Sequence, residues 1–123
     1  MKKRKILLIC LIFLFALCGC EEEEEEKTLR ERIEEEKAII VDVRTKEEYL
    51  ESHIKGAINI PYDEIDENIG LDKNKKIYVY CKSGTRSGIA YENLKSLGYE
   101  VENLGAYQKI NLERTSEKNE NTN

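Results

Sequence analysis

The chain has 123 residues, with 20 Lys and Arg against 25 Asp and Glu and a formal net charge of −5. This length suits one domain, and the acidic balance disfavours nucleic acid as a partner. The four cysteines and the single histidine form no cluster with metal-ligand spacing, so the sequence predicts neither a metal nor a cofactor.

The first twenty residues read as an export signal rather than as part of the domain. Four basic residues precede an apolar segment of 12 residues, Ile6 to Leu17, which is short for a membrane span of about 20 residues. Leu17-Cys18-Gly19-Cys20 follows and resembles the bacterial lipobox, whose last cysteine receives diacylglycerol. We therefore predict a lipoprotein signal peptide over residues 1–19, with Cys20 as the lipidation site. An uncleaved signal anchor over residues 6–20 and a buried helix are the alternatives.

Export and cleavage change both the charge and the number of thiols. The protein without residues 1–19 has 16 basic residues against 25 acidic ones, a net charge of about −9, so acyl chains must provide the anchor in the cell membrane. The domain is then expected on the extracytoplasmic side, with residues 20–27 as the lipidated cysteine and an acidic spacer. Cys81 is the only free thiol left, which excludes an internal disulfide and a resolving cysteine.

Short apolar strands then alternate with amphipathic helices along the chain. A helix over residues 28–37 precedes a continuous apolar run over 38–43, which suits a strand buried on both faces of a parallel sheet. Thr45 and Glu48 form a capping-box pattern that starts a second helix. The later predicted elements are a strand over 57–60, a short helix within 62–69, a strand over 77–80, a helix from Ser87 to about Gly98 and a strand over 100–104.

This alternation with short links predicts the α/β class, with a central, mostly parallel sheet flanked by helices. The domain is expected over residues 28–110, and residues 111–123 are predicted to be a polar, disordered tail.

Cys81 ends the predicted strand 77–80 and opens the loop Lys82-Ser83-Gly84-Thr85-Arg86, which leads into the longest helix. The positive pole of that helix and inward-facing loop amides both favour thiolate over thiol, and both can hold an anion. The pattern predicts a nucleophilic cysteine that meets an anionic, sulfur-bearing substrate. The alternative is a buried structural cysteine.

Each loop residue has a candidate role and a plainer alternative. The guanidinium of Arg86 suits bidentate binding of substrate oxygens, unless it only pairs with an acid at the surface. Lys82 is expected to be exposed and to steer anions. Gly84 permits tight curvature of the loop, and Ser83 and Thr85 either donate hydrogen bonds to the sulfur or stabilise the loop.

Asp42 and Arg44 lie at the carboxyl edge of the predicted sheet, where ligand sites form in α/β domains. They are possible supporting residues that orient the loop or the substrate. We favour a structural role for them, with Arg44 paired to Glu48. His53 is expected to be structural.

Several motifs in matching order resemble those of the rhodanese homology domain. The resemblance covers residues 28–110 and rests on these segments: Ile40–Arg44 with Glu48-Tyr49, His53–Pro61, Tyr78–Ser87, Leu97–Tyr99 and Asn103–Ala106. It implies a small α/β domain that works as a single-domain, thiosulfate sulfurtransferase-like enzyme. The chain departs from many family members in having no tryptophan and in lacking their additional first strand.

The resemblance also implies a reaction. Cys81 would take a sulfane sulfur from a small anion such as thiosulfate, or from a persulfide donor, and become a persulfide. It would then pass the sulfur to a thiol, on a small molecule or a protein, or to cyanide. Residues 82–86 would cradle the terminal sulfur.

Two other functions remain open at this point. One is a non-catalytic rhodanese-like interaction module tethered to the membrane. The other is a phosphatase or arsenate reductase, but these relatives of the fold use a Cys-x5-Arg loop. The Cys81–Arg86 loop is one residue shorter, which suits a sulfur atom on the cysteine better than a tetrahedral phosphate.

Overall fold

Four parallel strands form the central sheet in a computed structural model that describes residues 26–118. The strands of the whole described chain are β1 (Ile39–Asp42), β2 (His53–Ile54), β3 (Ile58–Asn59), β4 (Ile77–Cys81), β5 (Val101–Ala106) and β6 (Arg114–Thr115). The sheet order is β3-β1-β4-β5, and each neighbouring pair is parallel. The predicted α/β class with a mostly parallel sheet is confirmed.

Three helices cover the two faces of this sheet: α1 (Leu29–Glu36), α2 (Lys46–Glu51) and α3 (Thr85–Ser96). Ala90 and Leu94 of α3 pack on one face, in a cluster that includes Cys81. Leu29 and Ile33 of α1 pack on the opposite face. Since all five residues of β4 are buried between these layers, the position of Cys81 is fixed by the core.

The predicted segments up to residue 25, including the signal peptide and Cys20, lie outside the described residues. Within residues 26–118, none of the helices has the length and apolar character needed to cross a membrane.

The helices begin where the sequence pattern predicts them, with the exception of α3. Capping boxes begin both α1, at Thr28 and Glu31, and α2, at Thr45 and Glu48. Helix α3 begins at Thr85, two residues before the predicted start. The short helix predicted within 62–69 is present as a 3-10 helix over Tyr62–Glu64. It does not extend further, and beyond it the Asp66 carboxylate accepts from the Asn68 amide at 2.8 Å and competes with helical hydrogen bonds.

The prediction of disorder from residue 111 onward is wrong for residues 111–118. Strand β6 pairs antiparallel with β2, with Thr115 opposite His53 and Arg114 opposite Ile54. The Arg114 guanidinium also donates to the carbonyl oxygens of Tyr107, at 2.6 Å, and Ile110, at 3.0 Å. Backbone pairing and arginine hydrogen bonds therefore order this segment, although its sequence has no periodic apolar pattern that would predict a strand. The remaining residues of the predicted tail, 119–123, lie outside the described residues.

A buried polar network fastens β1 to β4 on the face opposite α3. The Asp42 carboxylate is fully buried and accepts hydrogen bonds from the Arg44 guanidinium, at 2.6 Å from Nη2 to Oδ2, and from the Tyr80 hydroxyl at 2.9 Å. Arg44 also donates to the carbonyl oxygen of Ser52 at 2.6 Å, and Ile54 donates its amide to the Tyr80 hydroxyl at 3.0 Å. The predicted pairing of Arg44 with Glu48 is therefore wrong, because Asp42, two residues before Arg44, holds the guanidinium inside the core.

We predict that Tyr80→Phe lowers the free energy of unfolding by about 1–3 kcal/mol, because it removes one of the hydrogen bonds to the buried Asp42 carboxylate and leaves the Ile54 amide without its partner. Urea unfolding of the full-length chain measures the change. Tyr91→Phe is the control, since the structure shows no hydrogen bond of the Tyr91 hydroxyl to any residue in 26–118. Equal stabilities of the two variants would contradict a role for the network.

Candidate active site

The loop after β4 turns back on itself to face the sulfur of Cys81. Gly84 adopts a φ of 101° as the residue before helix α3, a conformation that side-chain-bearing residues rarely reach. This turn aims the Gly84 amide at the Cys81 Sγ, at 3.0 Å. The curvature predicted for Gly84 is thus present, and it places a backbone donor against the sulfur.

The surroundings of Cys81 favour its ionised form. Burial is the largest influence and opposes ionisation, but hydrogen bonds from the Ser87 side chain and from the amides of Ser87, Gly84 and Ser83 outweigh it. The pKa of Cys81 is consequently lowered from its usual value. The same donors would stabilise a negatively charged sulfur bonded to Sγ.

Ser87 is a site residue that the sequence analysis did not single out. It is fully buried, its Oγ lies 3.4 Å from the Cys81 Sγ, and it donates to the Gly84 carbonyl oxygen at 3.0 Å. A protonated Cys81 can donate to this hydroxyl, whereas a thiolate requires the hydroxyl to turn and donate to the sulfur. Ser87 precedes Ala90 and Leu94 at helical spacing, and this pattern could have identified it as inward-facing.

The Arg86 guanidinium pairs with Glu48 of α2. The guanidinium Nη1 lies 2.7 Å from Oε1, and Nη2 lies 3.2 Å from Oε2. This bidentate bond to Arg86 is the main cause that lowers the pKa of Glu48 to about 2. The structure thus shows the predicted alternative for Arg86, a pairing with an acid, and it identifies Glu48 as a further residue of the site.

The remaining loop side chains face solvent. Lys82, Ser83 and Thr85 are exposed, and Lys82 forms no ion pair within the part of the chain that the structure describes. Beside the loop lies a cavity of about 280 Å³. Its lining consists of Arg44, Glu48, Glu51, Ser52, Lys82, Tyr107 and Gln108.

Asp42 and Arg44 support this region from within the core. Their side chains are 0% and 6% exposed, and the Arg44 guanidinium lies 4.4 Å from the centroid of the Tyr107 ring. His53 is also buried, stacks on the Tyr49 ring and bonds through Nδ1 to the Tyr49 carbonyl oxygen at 2.7 Å. These contacts give Asp42, Arg44 and His53 structural roles.

Comparison with known proteins agrees with this geometry. The family model described as Rhodanese-like domain matches residues 25–112. The chain belongs to this family. The predicted extent of the rhodanese-like domain, residues 28–110, is close to the matched segment.

Relatives and solved structures place the chain among the sulfurtransferases. Thiosulfate sulfurtransferase PspE of Escherichia coli is 46% identical over 74 residues, which are 57% of this chain and 71% of the relative. Thiosulfate:glutathione sulfurtransferase of Saccharomyces cerevisiae is 36% identical over 75 residues, 50% of this chain and 54% of the relative. The structure described as a rhodanese with anions from E. coli aligns with a TM-score of 0.60 at 41% identity, over 64% of this chain and 98% of that one. The predicted class of enzyme, a rhodanese-type sulfurtransferase, is confirmed.

We predict that Ser87→Ala slows alkylation of Cys81 by iodoacetamide at neutral pH by about tenfold, because one hydrogen bond to the thiolate is lost. The rate rises with pH as the thiolate forms, so this rise should move to higher pH in the variant. Peptide mass spectrometry measures alkylation at Cys81 alone. Ser96→Ala is the control, since its hydroxyl bonds only to carbonyl oxygens in the last turn of the same helix. An unchanged pH profile in Ser87→Ala would mean that the hydroxyl only supports the helix start.

Proposed function

We propose that this enzyme moves a sulfane sulfur from thiosulfate or a persulfide donor to a thiol or cyanide acceptor, through a persulfide on Cys81. The observation that carries this proposal is the convergence of the Gly84 amide and the Ser87 hydroxyl on the Cys81 sulfur, at 3.0 and 3.4 Å. The Gly84 amide donates to the sulfur, and the Ser87 hydroxyl can turn to donate to it once the sulfur is ionised. Both groups therefore suit a sulfur that is negatively charged both before and after it accepts another sulfur atom. A relative named thiosulfate sulfurtransferase and another named thiosulfate:glutathione sulfurtransferase support the same chemistry.

The first half of the reaction loads the enzyme. The Cys81 thiolate attacks the outer sulfur of thiosulfate and forms a new S–S bond. The S–S bond within thiosulfate breaks, and its electron pair leaves with sulfite. The enzyme keeps a Cys81–S–S⁻ group, whose terminal sulfur lies in the field of the loop amides and the N-terminus of α3.

The second half of the reaction unloads the enzyme. An acceptor thiolate attacks the terminal sulfur, and the electron pair of the broken bond returns to Cys81 as thiolate. The acceptor leaves as a persulfide, while cyanide in the same role leaves as thiocyanate. Neither half requires an external oxidant or reductant, in accord with a domain whose only described cysteine is Cys81.

The other loop residues bind and orient the donor. The exposed Lys82 attracts anions to the cavity beside the loop. The guanidinium of Arg86 binds the oxygens of the donor once it is free of Glu48. Ser83 and Thr85 complete the cradle, Ser83 through a backbone amide that helps to lower the pKa of Cys81.

The segment before residue 28 supports a proposal for where this activity takes place. We propose that acylated Cys20 tethers the enzyme to the cell membrane, facing the extracytoplasmic side, with the acidic run to residue 26 as a spacer. The donor and the thiol acceptor would then meet the enzyme outside the cytoplasm.

A tethered interaction module is the second candidate, and the cysteine decides between the two. A module without catalysis has no need for a buried thiol of lowered pKa surrounded by hydrogen-bond donors. Phosphatase or arsenate reductase chemistry has less support, because the loop is one residue short and the Arg86 guanidinium is paired with Glu48.

We predict that thiosulfate adds one sulfur atom to the peptide that contains Cys81, and that cyanide removes it. Mass spectrometry of the full-length chain after digestion measures the gain at Cys81 separately from the other cysteines. Cys81→Ser should show no gain. Sulfite, which carries no sulfane sulfur, is the chemical control for the wild type.

Circular dichroism of Cys81→Ser decides how a negative result is interpreted. A folded variant without the gain supports the persulfide. A folded wild type that gains no sulfur from thiosulfate or from an alkyl persulfide would contradict the proposal and favour the interaction module. Unfolding of Cys81→Ser would mean that the cysteine is structural.

A further inference from the structure

The carboxylate of Glu48 occupies the hydrogen-bonding edge of the Arg86 guanidinium. Both terminal nitrogens of the guanidinium are bound to the carboxylate, at 2.7 and 3.2 Å. This is the edge of the guanidinium that binds planar or tetrahedral oxyanions in bidentate fashion. With their side chains 27% and 29% exposed, both partners remain within reach of a solute.

Glu48 is held in position independently of Arg86. Its Oε1 accepts from the Thr45 amide at 3.3 Å, and Thr45 Oγ1 lies 3.2 Å from the same oxygen. The capping box of α2 therefore presents this carboxylate at the cavity beside the loop, which Lys82 also lines. With a pKa of about 2, the carboxylate stays ionised at any pH at which the enzyme would work.

We propose that Glu48 determines donor specificity, as an internal anion that holds Arg86 until the oxyanion group of a donor displaces it. This inference deepens the proposed sulfur transfer and rests on it. A donor with a sulfonate-like group exchanges with Glu48 on the guanidinium, whereas a donor without oxygens gains nothing from Arg86. After transfer, Glu48 competes with sulfite for the same guanidinium and favours its release.

Because thiosulfate must displace Glu48 from Arg86, the ion pair lowers the affinity of the enzyme for thiosulfate. An ion pair of this partial exposure contributes up to about 1 kcal/mol, so its removal should lower the KM for thiosulfate by about fivefold. The effect should be specific to oxyanion donors and should require Arg86. A general change of surface charge would show neither property.

The test compares Glu48→Gln with Glu47→Gln. Both variants remove one negative charge from helix α2, and glutamine at position 48 still completes the capping box. Glu47 is exposed and makes no ion pair within residues 26–118. We expect Glu48→Gln alone to lower the KM for thiosulfate, with a smaller effect on the KM for an alkyl persulfide, which has no oxyanion group.

A double-mutant cycle tests whether the effect passes through Arg86. Arg86→Gln should raise the KM for thiosulfate, and the further change Glu48→Gln should then have no effect on it. A fall in KM of equal size in both backgrounds would overturn the proposal, because Glu48 would then act only through its general field. An unchanged or higher KM in Glu48→Gln alone would overturn it as well.

Alkylation of Cys81 provides a readout that does not depend on sulfur transfer. Iodoacetate carries a carboxylate and iodoacetamide is neutral, so the ratio of their rates reports how the site receives an anion. The ratio should rise several-fold in Glu48→Gln and stay constant in Glu47→Gln. A constant ratio in both, with persulfide formation intact, would refute the role of Glu48 alone. A raised ratio without any persulfide would refute sulfur transfer while the anion exchange at Arg86 stands.

Discussion

The turn at Gly84 is the constraint on which the site depends. Cys81 is fixed by the central strand β4, and the start of α3 is fixed by the packing of Ala90 and Leu94 on the same sheet. Only three residues, 82–84, connect these two anchored elements. The chain can close this distance because Gly84 adopts a φ of 101°, and the closure directs backbone donors at the sulfur. The core therefore determines the electrostatics of the cysteine.

The network on the opposite face of the sheet complements this arrangement. Tyr80 and Cys81 are successive residues of β4, so their side chains point to opposite faces. Tyr80 is bonded to the buried Asp42, and Cys81 lies under the loop. Burial raises the pKa of Tyr80, which therefore remains a donor to Asp42. Strand β4 is thus anchored by polar bonds on one face while it presents Cys81 on the other.

Much of the fold and the position of Cys81 could be predicted from the sequence. The apolar runs that became β1 and β4 and the capping box at Thr45 are local patterns with a direct physical meaning. The placement of Cys81 between a buried strand and a helix start is equally local. These features predicted the class of fold and the lowered pKa of the cysteine before any tertiary contact was known.

The features that sequence patterns missed depend on contacts between distant residues. Glu48 and Arg86 are separated by 38 positions, and nothing in either segment specifies that they pair. Strand β6 is only two residues long and has no periodicity to detect. Arg44 pairs with Asp42 rather than with Glu48 because Asp42 is buried and requires a charged partner. The burial of Asp42 becomes visible only in the packed structure.

The most direct test of the role of this turn is the pKa of Cys81 in Gly84→Ala compared with Gly56→Ala. Both glycines have positive φ, 101° and 86°, and an added Cβ meets no close atom at Gly56 and only ordinary contact with Gly105 at Gly84. Both variants therefore carry backbone strain, but only Gly84 controls the loop amides. The pH dependence of iodoacetamide alkylation at Cys81 should show a raised pKa in Gly84→Ala and the wild-type pKa in Gly56→Ala. A wild-type pKa in both variants would contradict the claim that the turn at Gly84 stabilises the sulfur anion.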